Sequence, residues 1–301
     1  MKALLLLAFV SSGLLASGCG ETPSRAKTDG PPPDAGSTTT GDAGDSGTPG
    51  DSGTPDGSGT PDGSGTPDDS GMNDSGATIY EEFNPWSGNT SPDGVWRIAG
   101  VWTGTGGNVL DPALAALTST YPGESSSGFL SLTVQANQLR GSEIQTIAGY
   151  GYGYYEVRMK VSPTAGICDS FFWIEAPSYG SREWDIEFLT NEPWISSSNS
   201  GKVHYTIHPS GKSYTADLPF NPSAGFHRYG FLWTPGKIEF TVDGQPSHSF
   251  TDAALNSSAT GFIMMNAWTG NPNWGGGPPT QNATTVYDWV KFYAGATSIP
   301  K

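Results

Sequence analysis

Nearly all the aromatic side chains of this 301-residue chain lie on one side of a single point. There are 13 phenylalanines, 12 tyrosines and 10 tryptophans, and apart from Phe9 every one falls after residue 79. A core that offsets the entropy of ordering a chain therefore forms only from there onward. The segment before it, residues 20–78, carries eleven acidic residues against Arg25 and Lys27, nine of the fifteen net negative charges. From Ser46 it repeats as SGTPGD, SGTPDG, SGTPDG, SGTPDD. A β-helix built on a hexapeptide needs an inward apolar residue in each turn, and this repeat has none. The expectation is a disordered tether with a root-mean-square span of roughly 45 Å.

The charge balance, Lys+Arg 14 against Asp+Glu 29, gives the chain no electrostatic reason to approach a nucleic-acid backbone. Two cysteines build neither a disulfide framework nor a Cys-rich metal site. At the start, Lys2 precedes apolar runs at residues 3–10 and 13–16, an export signal too short to span a bilayer comfortably. The run Leu15-Ala16-Ser17-Gly18-Cys19 resembles the lipobox of bacterial lipoproteins. That resemblance implies lipidation of Cys19 and a protein held at the cell envelope, at the outer membrane or cell surface. Ordinary secretion, with cleavage near Ala16-Ser17-Gly18, is the alternative. The expected organisation is a signal peptide over 1–18, the lipidated cysteine and linker over 19–78, a folded domain over 79–295 and a tail over 296–301.

Within the folded part, alternation with period two recurs. Tyr155, Val157, Met159 and Val161 share one face against Glu156, Arg158 and Lys160, and Ile238, Phe240 and Val242 share another against Lys237, Glu239 and Thr241. Asp243-Gly244 closes the second run with a favoured hairpin dipeptide. Further strands are expected over 128–134, 226–233, 262–268 and 285–293. One helical signal competes, Asp111 as N-cap with Pro112 behind it, leading into a turn or two over 113–117. The fold class that follows is all-β, a two-sheet antiparallel β-sandwich or jelly roll.

The sharpest feature is Glu183-Trp184-Asp185-Ile186-Glu187-Phe188. In a strand the three carboxylates share one face, while Trp184, Ile186 and Phe188 enter the opposite, apolar layer. Three like charges in a row raise one another's pKa, so stability alone does not place them there. Paired carboxylates flanking a glycosidic bond are what glycoside hydrolysis requires. Four residues along a strand separate Cα atoms by about 13 Å, so the retaining separation of about 5 to 5.5 Å requires both glutamates to lean inward by about 4 Å. The inverting range of about 6.5 to 9.5 Å requires less and stays open on geometry. Asp185 is placed to hydrogen-bond one glutamate while its charge keeps the other protonated. A solvated acidic face, or a calcium site made of the same oxygens, is the competing reading.

The segments around that strand carry a family resemblance. Ser170-Phe171-Phe172-Trp173, the carboxylate strand, Phe226-His227, Val242-Asp243-Gly244, Met264-Met265-Asn266-Ala267-Trp268 and Tyr287-Asp288-Trp289-Val290-Lys291 occur in the order found in glycoside hydrolase family 16, and most resemble its lichenase branch. The resemblance covers nearly the whole folded domain. It implies a concanavalin-like jelly roll and a retaining double displacement on β-glucan, with Glu183 as nucleophile, Asp185 as assisting carboxylate and Glu187 as acid/base. It also implies sugar contacts from Glu143, Trp184, His204, Asn266 and Trp268, and Asp288 as a ligand of a structural Ca2+; catalysis itself needs no cofactor.

No residue is inserted between Asp185 and Glu187, where the laminarinase type usually has a bulge, and this favours mixed-linkage β-1,3-1,4-glucan. The departures from the branch are Gln145 where an arginine is common, Ile174 where a tyrosine is, and Val203-His204-Tyr205-Thr206 where an Asn-Tyr-Tyr run is. Trp184 also stands where a smaller aliphatic usually follows the nucleophile. A β-1,3-glucanase or transglycosylase of the same family, and a non-catalytic carbohydrate-binding surface module, are the alternatives. A polysaccharide is the expected partner, with the membrane reached only through the lipid, and a monomer is expected. Trp194, Trp268 and Trp274 suit stacking on sugar rings or burial in the core, and Cys168 reads as a buried thiol.

Overall fold

The computed structural model describes residues 76–104 and 107–301. The signal, Cys19 and nearly all of the tether lie outside the described residues. Among the described residues seventeen strands follow in chain order: β1 (Ile79–Glu81), β2 (Trp96–Ile98), β3 (Trp102–Thr103), β4 (Val109–Leu110), β5 (Ala115–Thr118), β6 (Phe129–Val134), β7 (Arg140–Thr146), β8 (Gly153–Lys160) and β9 (Cys168–Glu175). Then come β10 (Glu183–Leu189), β11 (Gly201–His208), β12 (Lys212–Leu218), β13 (His227–Thr234), β14 (Lys237–Val242), β15 (Gln245–Thr251), β16 (Gly261–Trp268) and β17 (Ala283–Ala294). They form two sheets. One runs β15-β14-β13-β8-β17-β6-β5 with β1 on β17, and the other β12-β11-β10-β9-β16-β7-β4-β3 with β2 on β7. The all-β two-sheet class is thus observed, and every pairing is antiparallel except β4 with β7.

The alternation explains the layers. Tyr155, Val157 and Met159 of β8 and Trp173, Trp184, Ile186 and Phe188 of β9 and β10 all lie in one buried core between the sheets. Trp173 and Trp184 stack at 5.4 Å and both meet the edge of Trp233, at 4.8 and 5.5 Å, which ties the two sheets together behind the carboxylates. Each such aromatic pair adds about 0.5 to 1.5 kcal/mol beyond burial. The other face of β8 is less exposed than alternation suggests: Glu156 accepts from Tyr154 and is fully buried.

Local chemistry held at the hairpin and failed at the helix. Asp243 and Gly244 both take positive φ, 49° and 73°, the backbone of a tight hairpin turn between β14 and β15. Asp111 does cap Ala113 at 2.8 Å, but the turn is a single 3-10 turn, Pro112–Leu114. Residues 115–118 are then drawn into β5 by pairing with β6, because a half-buried sheet edge offers more than one further turn of isolated helix.

Candidate active site

Strand register brings residues from across the sequence into rows on the outward face of the nine-stranded sheet. Glu143 of β7 pairs with Asn266 of β16, Asn266 with Ser170 of β9, Ser170 with Glu187 of β10, and Glu187 with His204 of β11. The next row sets Phe172, Asp185 and Thr206 side by side, and the next Phe262, Ile174, Glu183 and His208. Register through β10 is unbroken from Glu183 to Glu187. The three carboxylates lie almost fully below the surface, each at most 4 % exposed. Burial of three adjacent carboxyls is costly, and such clusters concentrate at functional sites.

Burial, and then the charge of Glu187, push the Glu183 carboxyl up. Burial, and then the charges of Glu183 and Glu187, push Asp185 well above the usual carboxylate range. The two carboxyls share a hydrogen bond, and out of water, beside like groups, both take up a proton more readily than a free carboxylate. Asp185 stands between the two glutamates on the same face of β10, out of water. His208 Nε2 stands 3.6 Å from Asp185 Oδ2, and burial pulls the histidine's pKa down, which keeps it neutral there.

Around Glu187, Oε1 accepts from Trp274 Nε1 at 3.0 Å and from the Cys168 thiol at 3.4 Å. Glu143 accepts from Trp102 Nε1 at 3.2 Å and from Asn266 Nδ2 at 3.4 Å, and Ser170 donates to Asn266 Oδ1. Beside Glu183 the wall is apolar: Phe172, Ile174, Phe262 and Met264 sit under Tyr179, whose hydroxyl donates to Gln145 at 2.8 Å.

Several sequence expectations change here. Trp184 is fully buried between the sheets and has no access to a sugar, because alternation sends it to the face opposite its two acidic neighbours. His204 does lie in the carboxylate row, but its Nε2 is engaged by Glu192 and its Nδ1 by Thr215, each at 3.0 Å. Trp268 is 4 % exposed and packs with Leu110, Cys168 and Leu189 against Trp102 and Trp274. Glu143 and Asn266 share the row of Glu187. Trp102, Tyr179, Ser170 and Thr206 were not singled out from sequence, since Trp102 and Tyr179 lie in or beside irregular segments and the other two become visible only through register.

Asp288 is on the other sheet, at an irregularity in β17, and its carboxylate bonds the guanidinium of Arg158. That guanidinium also bonds Glu124 at 2.8 Å and lies over the Phe226 ring at 4.8 Å. The guanidinium engages Oδ2 of Asp288, while Oδ1 lies buried beside it.

The family model "Glycosyl hydrolases family 16" matches residues 113–291, which contain all three carboxylates and the strands that frame them. The chain belongs to this family. Family 16 relatives include a β-glucanase of Bacillus subtilis (strain 168), 34 % identical over 70 % of this chain and 85 % of its own length. A β-glucanase of Paenibacillus polymyxa is 40 % identical over 54 % of this chain and 68 % of its own. Among solved structures, a prokaryotic β-1,3-1,4-glucanase (lichenase) from a mouse hindgut metagenome is 30 % identical, with TM-score 0.55 over 71 % of this chain and 97 % of that one. The Bacillus licheniformis β-glucanase superposes with TM-score 0.56 at 27 % identity over 72 % of this chain and 98 % of that one. As a member of family 16 the protein is a glycoside hydrolase, with the jelly-roll sandwich of those relatives.

Proposed function

We propose that the protein is a retaining endo-β-glucanase acting on mixed-linkage β-1,3-1,4-glucan. The observation that carries this reading is the buried row of Glu183, Asp185 and Glu187 on one face of β10. Glu183 attacks the anomeric carbon and the bond to the leaving oxygen breaks as Glu187 protonates that oxygen. Water then attacks the same carbon, Glu187 takes its proton, and the ester to Glu183 breaks. Asp185 orients the nucleophile by its hydrogen bond. The choice of mixed linkage is supported by the unbroken register of β10 and by the β-1,3-1,4-glucanase among the structural relatives.

Reducing-sugar release from mixed-linkage β-glucan, laminarin and agarose, measured side by side, tests it. Cleavage of mixed-linkage glucan with the β-anomer formed first by NMR, lost on the order of 10⁴-fold in Glu183→Gln, is the expected result. Release from laminarin or agarose alone would move the substrate, and retained binding with no release from any polymer would overturn the hydrolase assignment.

We also propose that a lipid on Cys19 holds the enzyme at the envelope, from the lipobox-like run before it. Mass spectrometry of the mature N-terminus checks this: an unmodified end generated within residues 16–19 would replace the anchor with secretion.

A further inference from the structure

We propose that Trp274 is a positioning residue for Glu187: its indole N–H, delivered by a clamped loop, fixes Oε1 of that carboxyl so that Oε2 carries the proton to the leaving oxygen. This rests on Glu187 being the acid/base. The expectation from sequence was a sugar-stacking or core tryptophan. In the structure its nitrogen instead reaches Glu187 Oε1 at 3.0 Å, the oxygen that also receives the Cys168 thiol. Two donors on one oxygen make the carboxyl's oxygens inequivalent, which leaves Oε1 as acceptor and the acid proton on the other.

The loop that carries Trp274 is built to hold it. Asn271 accepts from the backbone of Trp274 at 2.9 Å and of Gly276 at 3.0 Å, and the Thr269 hydroxyl donates to Gly166 at 2.6 Å. Gly275 and Gly277 have φ of 78° and 97°, and a Cβ on them would stand 2.8 Å from the Cys168 nitrogen and 1.6 Å from Thr269 Oγ1. Only glycine lets this backbone press onto the start of β9. On its other side the indole meets the edge of His204 at 5.3 Å, and His204 is itself held at both nitrogens. The indole is thus fixed from the loop, from β9 and from β11.

The charged and titratable groups facing Glu187 are Asp185 and Glu183 on its own strand, Cys168 on β9, His204 on β11 with Glu192 behind it, and Glu143 beyond Asn266. Those of the four carboxyls that are ionised favour the protonated form of Glu187, whereas an N–H donor favours the ionised form. Trp274→Phe keeps the ring and removes the donor. Expected are a fall in kcat of about tenfold, KM within twofold, and a basic limb of the kcat/KM profile moved up by about one pH unit. Cys168→Ala, remote from the surface, moves the limb the same way by less, and Cys168→Ser brings it back. A rise in KM with the limb in place in both variants would make Trp274 a sugar-stacking residue and overturn the proposal.

Glu187→Ala tests the underlying reading separately. With an activated aryl β-glucoside it should still form the glycosyl ester, and azide should attack its anomeric carbon, displacing the Glu183 carboxylate to yield a β-glycosyl azide. Failure there removes the acid/base assignment; success with an unmoved limb in Trp274→Phe removes only the positioning role.

Discussion

The buried Asp185 carboxyl shares a hydrogen bond with that of Glu183, two residues earlier on the same strand. A β-strand repeats its facing every second residue, so the pair is set by the covalent chain itself. Burial and the neighbouring carboxyls push both groups above the usual carboxylate range.

One consequence is a pH-dependent cost to stability. In the unfolded chain Asp185 ionises above about pH 4, whereas in the fold it holds its proton to much higher pH. The folded state therefore binds more protons, and the cost is absent at pH 4 and grows as pH rises. Asp185→Asn keeps a donor to Glu183 and removes the titration. Its melting temperature should exceed that of the parent by more at pH 8 than at pH 4, and its kcat should stay within about tenfold, against a loss of about a hundredfold in Asp185→Ala. An equal gain in Tm at both pH values would show that Asp185 is ionised in the fold.

Trp184 is structural, stacked on Trp173 and edged by Trp233. Trp184→Ala should cost about 3 to 5 kcal/mol, read by urea unfolding, while Trp184→Phe should cost less and leave KM unchanged. A KM raised several-fold in a fully folded Trp184→Phe would return this residue to the sugar.

Arg158 supplies the cation for Asp288 and Glu124. Chelation with EDTA should leave the Tm of the protein where it is, and added Ca2+ should not raise it. Arg158→Ala strands a buried carboxylate and should destabilise by about 3 to 5 kcal/mol, a fall of roughly 2 to 4 °C in Tm for each kcal/mol. Loss of stability on chelation in the parent would point to a bound metal instead.

Glu143 joins Trp102 to Asn266 in the row that leads to Glu187. Glu143→Ala should raise KM about tenfold with kcat nearly unchanged, since it removes contacts made equally to bound substrate and transition state. Isothermal titration with a mixed-linkage oligosaccharide on the Glu183→Gln background separates the binding loss from turnover; unaltered affinity would leave Glu143 a purely structural partner of Trp102.

What the sequence determined by itself was local and periodic. Alternation placed Glu183, Asp185 and Glu187 on one face and Trp184 on the other, and the paired positive φ of Asp243 and Gly244 followed from a turn dipeptide. The end of the acidic repeat and the dense aromatics from Tyr80 onward set the place where a core begins. What the tertiary structure alone decided was which distant residues share a row and what touches each carboxylate. Ser170 and Asn266 meet Glu187 only because β9 and β16 pair in that register, and Trp102, on the two-residue strand β3, and Trp274, on a loop, lie in segments that have no period to read. The upward shift of the Asp185 pKa is likewise a product of burial, which the chain acquires only when the sheet has closed over its neighbours.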